Sequence, residues 1–253
     1  MSPQKVRSLI MAVLFASLVP AIASAQVAVT FGTSWDGASN SLQNIVNTLY
    51  GPGKINVATD YIGHNVGDPD PFVWQDLQFD ALILKEVAGN ANQNYIGWYK
   101  ETGTMPVIDG VDDGIVFTGA NGPGTAKFVL FGQSTKFGFF MNPNGLYGAT
   151  NAPEPEKFFS NRKYNDLGPS GAGAIHAPYD GDVQALVFNL STILNTPNVW
   201  LVCFEDLDSG PNPGSCCSTT DNDFNDFVFE VHALGTSPAG PLTFGKLKAM
   251  YRN

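Results

Sequence analysis

From residue 39 to 50 the chain reads SNSLQNIVNTLY, with its apolar side chains at helical spacing. Leu42, Ile45, Val46 and Leu49 recur at intervals of three and four, on one face of an α-helix. Ser39 or Asn40 can cap its start, and Gly51-Pro52-Gly53 stops it. The expected role of this helix is to pack on a sheet. Beyond it the pattern shortens to runs of β-branched and aromatic residues bounded by Gly, Pro, Asn or Asp. Strands are expected at Ile55–Tyr61, Ala81–Val87, Tyr95–Tyr99, Ile115–Thr118, Lys127–Phe131, Lys136–Met141, Ala185–Leu190, Val199–Phe204 and Phe227–His232. Many short strands with turn signals between them point to an all-β fold, a β-sandwich or jelly roll. Segment 142–182 consists mostly of turn formers and reads as a long excursion from that sandwich.

Composition narrows the class. Charged residues are 14% of the 253-residue chain, aromatics 12%, and there are 27 Gly and 17 Pro. A helical bundle lacks its Ala, Glu, Lys and Leu runs here, and 18 Phe are too many for a solvated, disordered chain. Residues 1–25 resemble a secretory signal peptide. Lys5 and Arg7 precede an apolar run from Leu9 to Ile22, and Ala23-Ser24-Ala25 offers a small-residue cleavage site. The run is too short for a membrane span, and no later stretch approaches one. The expected product is a secreted domain over residues 26–235, followed by a linker and tail, 236–253, in which TFGKLKAMYR resembles a sorting tag.

Cleavage would remove two bases and no acids, carrying the formal charge from -10 to -12. Such a surface disfavours nucleic acid, which is held by Lys and Arg on phosphates. It favours divalent cations. In an oxidising compartment Cys203 is expected to bridge Cys216 or Cys217, closing a loop worth about 3 kcal/mol by chain entropy.

The chemistry concentrates in residues 203–231, CFEDLDSGPNPGSCCSTTDNDFNDFVFEV. One strand feeds Glu205, Asp206 and Asp208; Asp221, Asp223 and Asp226 feed the next. Phe227, Phe229 and Val231 alternate, as on a half-buried strand. If the two strands pair, the loop returns the acids towards each other. Clustered carboxylates repel, and Ca²⁺, which takes 6–8 oxygens, removes the repulsion. Asp221, Asp223 and Asn225 match the opening of a calcium loop, D-x-D-x-N. The EF-hand pattern then fails, with Asp226 at position six and His232 at position twelve. The expected ligands are Glu205, Asp206, Asp221, Asp223, Asn225 and Asp226. The blander alternative is a solvated loop of Asx turns. His64, His176 and His232 are too scattered for a transition metal.

Phe204-Glu205-Asp206-Leu207, followed by Asp221, Asp223, Phe224, Asn225, Asp226, Val228 and Phe229, resembles the signature of the domain of unknown function 4114, a family of bacterial exported or surface domains. Glu86-Val87-Ala88-Gly89 with Asn94 resembles that family's upstream pattern. The resemblance implies a calcium-holding motif, often in adhesin-like chains, and implies no enzyme activity. The long insert around Pro211–Ser218 departs from it. Glu86 is a lesser ligand candidate, at a strand end. Asp68 and Asp70, and Asp109, Asp112 and Asp113, read as turns that could hold a second ion.

The functional expectation is a calcium-binding structural or adhesive module at a cell surface, with glycan or a surface protein as partner. The alternatives are a calcium-dependent carbohydrate-binding protein and, less favoured, a glycan-active hydrolase. Trp35, Trp74, Trp98 and Tyr179 could stack on sugar rings if exposed, but most of them are expected in the core or on a strand face. No G-x-S-x-G elbow occurs, and the acids share one loop instead of facing across a groove.

Overall fold

A computed structural model describes residues 29, 31–32, 36–88, 91–143, 157–165, 183–207 and 221–233. In chain order these form helix α1 (Leu42–Tyr50) and strands β1 (Trp74–Glu86), β2 (Tyr95–Lys100), β3 (Asp113–Phe117), β4 (Ala126–Asn142), β5 (Phe158–Phe159), β6 (Ala185–Asn189), β7 (Val199–Phe204) and β8 (Phe227–Ala233). The fold is all-β. One antiparallel sheet runs β3-β2-β4-β1-β8-β7-β6, with β5 paired to β4.

Two-residue periodicity explains how one sheet makes a sandwich-like body. Val202 and Phe204 of β7, with Phe227, Phe229 and Val231 of β8, enter one apolar cluster. That cluster also takes Val116 and Phe117 from one sheet edge and Val187 from the other. Both edges reach one core only because the sheet wraps around it. Its aromatic rings pack both edge-on, as Phe139 and Phe229 do at 5.2 Å and 80°, and stacked, as Phe79 and Phe137 do at 5.0 Å and 18°. The alternate residues Leu201, Cys203 and Val228 enter a second cluster with Leu42, Ile45 and Val46 of α1. The expected half-buried β8 is therefore buried on both faces. Helix α1 is also tied down by polar contact, since the Tyr50 hydroxyl donates to Glu230 Oε1 at 2.7 Å.

Strand β7 begins and ends where the sequence pattern puts it, and several other expectations are corrected. Helix α1 is capped by Ser41, whose hydroxyl accepts from the Asn44 N–H, rather than by Ser39 or Asn40, which lie in a short 3-10 turn. Leu49 is 39% exposed, so it is not part of the buried face. Residues 55–61 form turns, with one bridge from Tyr61 to Phe188, because Asp60 accepts the Asn56 N–H and closes the chain on itself. The strands expected at 127–131 and 136–141 are one 17-residue strand. Gly132, at φ 77°, turns the chain without ending it. The excursion 142–182 contributes β5, which pairs with β4. Trp74 is buried in the core and Trp98 packs on Phe131, the core and strand-face placement expected for most of these aromatics.

Cys203 is a free thiol, fully buried in the second cluster. Its expected partners Cys216 and Cys217 lie outside the described residues. So do the expected leader (residues 1–25), Trp35, His176, Tyr179, Asp208 and the tail 236–253. Among the described residues no helix is long and apolar enough to cross a membrane.

Candidate metal centre

Strands β7 and β8 pair antiparallel with Phe204 opposite Phe227. Glu205 and Asp206 leave β7 where Asn225 and Asp226 enter β8, so the register closes the two acidic clusters on each other. The Asp206 N–H donates to Asp226 Oδ2 at 2.7 Å.

Glu205, 0% exposed, is the hub. Its Oε2 accepts the successive N–H groups of Asp223 (3.1 Å) and Phe224 (3.4 Å), and its Oε1 accepts that of Leu207 (3.3 Å). Converging backbone N–H groups make an anion cradle, which lets a carboxylate stay buried. The loop bends to form it: Asn222 and Phe224 sit in the left-handed region, at φ 50° and 53°. That conformation is costly for a bulky residue. Burial offsets the cost, because the Phe224 ring sits in the second apolar cluster, edge-on to Phe31 at 5.8 Å.

The amino-terminal segment braces the loop from outside. The Gly32 N–H donates to the Asn222 carbonyl at 3.1 Å. A Cβ on Gly32 would fall 1.6 Å from the Asp221 carbonyl oxygen, so only glycine fits there. Asn225 Nδ2 donates to the Asn40 carbonyl at 2.8 Å and to Asp223 Oδ2 at 2.7 Å. Nothing in the pattern around residue 32 signals this contact, and a glycine among turn formers carries no mark of what lies against it.

The six expected ligands come together. Glu205, Asp221 and Asp223 form one group that can hold a metal ion, and Glu205, Asp206 and Asp226 form another; within each, carboxylate oxygens lie within 4.8 Å of one another. Asn225 is placed among them by its bond to Asp223. All but Asp221 are buried. Burial, and then the charges of Glu205 and Asp206, push the Asp226 carboxyl well above its ordinary range. Asp206 is raised by burial and then by Asp221, against a hydrogen bond from Asn94. Glu86, at the end of β1, is raised to about 7 by burial and by Asp206, which puts it within electrostatic reach of the centre.

The other acidic runs are spent locally. Asp70 pairs with Arg162 at 2.8 Å. Asp68 accepts the Asn65 N–H, and Asp113 accepts those of Asp109 and Gly110. Asp112 pairs with Lys100 at 3.0 Å. His232, twelfth from Asp221, stands in β8 beside Glu230, at 3.1 Å, and not in the loop.

Oxygen-only donors of this kind suit a hard cation; nitrogen and sulfur donors, which would favour a transition metal, do not enter either group. No curated protein and no solved structure shows significant similarity to the chain. Residues 131–233, from within β4 to the end of β8, match the family model described as Domain of unknown function (DUF4114), and this match supports membership of that family for the segment it covers.

Proposed function

We propose that this protein is an exported, calcium-binding β module, in which the ion orders the ends of β7 and β8 in a structural or adhesive role at a cell surface. The observation that carries the reading is the gathering of buried carboxylates from two strand ends, with oxygens within 4.8 Å of one another. Carboxylates so close repel at neutral pH, and this repulsion adds to burial in raising the pKa of Asp226 and Asp206. A divalent cation reverses the sign of that interaction. Ca²⁺ accepts the donor number, tolerates irregular geometry and is coordinated by carboxylate, amide and backbone oxygens alike. The basic-then-apolar start of the chain supports export.

An ion that binds only the folded state stabilises it by mass action, by about 2.7 kcal/mol at a hundred times Kd. The test is thermal unfolding in EDTA and in millimolar Ca²⁺, on the wild type and on Asp223→Ala. The expected result is a rise in midpoint with Ca²⁺ that the substitution abolishes. Equal midpoints in both buffers for the wild type would overturn the reading.

A further inference from the structure

The two acidic groups share a single residue, Glu205. The group on Asp206 and Asp226 has further polar neighbours that the chain brings from β1 and β2. Asn94, immediately before β2, is 0% exposed, and its Nδ2 lies 3.3 Å from Asp206 Oδ2. Its Oδ1 is buried with no hydrogen-bond donor among the described residues. Glu86 closes β1 opposite Phe227, and the next N–H, of Val87, donates to the Asp226 carbonyl at 3.2 Å. One of its carboxylate oxygens, Oε1, is also buried with no donor among the described residues. Leaving a buried acceptor without a partner costs about 1–3 kcal/mol, so two of them at the acidic end of the sheet call for an explanation.

Both orphans are oxygens, one on the Asn94 amide that bonds Asp206 and one on the Glu86 carboxylate that Asp206 repels. A buried Lys or Arg would serve one such group, but a compact divalent cation serves all three. An Asn side chain presents its oxygen in place of its nitrogen by a half-turn about its last bond, so the Asn94 amide can meet an ion where it now meets a carboxylate. Charge points the same way. Glu86, Glu205, Asp206, Asp221, Asp223 and Asp226 are six carboxylates at one end of the sheet, and a single divalent ion leaves most of that charge unbalanced.

We propose that the centre holds two divalent cations bridged by Glu205, the second of them bound by Asp206 and Asp226 and completed by Asn94 and Glu86. The proposal rests on the calcium reading above and extends it from one ion to two. It assigns a ligand role to the segment that joins β1 to β2, outside the matched family segment 131–233.

The test is the stoichiometry of Ca²⁺ binding to the chelator-stripped protein, by calorimetric titration and native mass spectrometry. Wild type is expected to take two ions. Glu86→Gln and Asn94→Ala are each expected to take one, or to bind the second at least tenfold more weakly, while Asp223→Ala keeps the ion that they lose. Unfolding midpoints in EDTA show whether each variant is folded, and Glu86→Gln, isosteric and at a strand end, serves if Asn94→Ala is not. One ion on the wild type, or wild-type stoichiometry and affinity in both variants, overturns the second site and leaves the first standing. No ion on any form overturns both readings together.

Discussion

Two buried carboxylate sites in this molecule teach opposite lessons. Glu101, just past β2, has a side chain only 7% exposed, yet donors surround it. The Tyr164 hydroxyl donates to it at 2.6 Å, the Gly103 N–H at 2.7 Å and Asn161 Nδ2 at 2.9 Å, with Lys163 at 3.4 Å. Burial acts to raise its pKa, but these donors outweigh burial and hold the pKa below its ordinary value. At the ends of β7 and β8, backbone N–H groups supply part of what the acids need, and the other acids supply repulsion. There Asp206 and Asp226 are raised. The first site is complete within the protein. The second gathers carboxylates close enough to raise one another, a charge that a bound cation could balance.

That contrast can be broken from either side. The largest effect is expected from Glu101→Gln. It should destabilise by about 2 kcal/mol at neutral pH, the scale of a hydrogen-bonded charge, equally in EDTA and Ca²⁺. Because the folded-state pKa of Glu101 is lowered from 4.5, its contribution is present above that pH and is lost as pH falls through the lowered value. Denaturant titrations of variant and wild type should therefore converge in acid; a gap that persists there would mean packing, not charge, holds this corner.

Asp226→Asn should act in the opposite sense. Removing one charge from the crowded end should raise the metal-free stability, on the order of 1 kcal/mol, and reduce the gain from Ca²⁺. A loss of stability in EDTA would show that the carboxylates are already balanced without an ion. The smallest effect is expected at the exposed pair Lys100–Asp112, whose side chains are 39% and 61% exposed. Asp112→Asn should change stability by no more than about 0.5 kcal/mol, with the Ca²⁺ response unchanged. A changed response would place an ion in the Asp109–Asp113 turn as well.

Much of the fold was legible because alternation is local. Val199–Phe204 and the start of β8 at Phe227 carry their own evidence in successive apolar side chains. Residues 55–61 misled because their apolar alternation serves burial from a turn: Ile55, Val57 and Tyr61 enter the second cluster without a strand. The 127–141 region misled in the other direction, since Gly132 reads as a break in sequence and is only an irregularity in a long strand.

The candidate site divides in the same way. The sequence by itself determined which acids flank the two strands, and strand pairing was enough to bring Glu205 and Asp206 to Asp223 and Asp226, because antiparallel neighbours return to the same end. Only the tertiary structure decided that Glu205 is cradled by the N–H groups of Asp223 and Phe224, that Gly32 abuts Asp221, and that Asn94 faces Asp206 across 112 residues of chain. Those contacts depend on how the sheet wraps its ends together. Side-chain periodicity encodes which face a residue presents, and not which distant segment comes to lie against it.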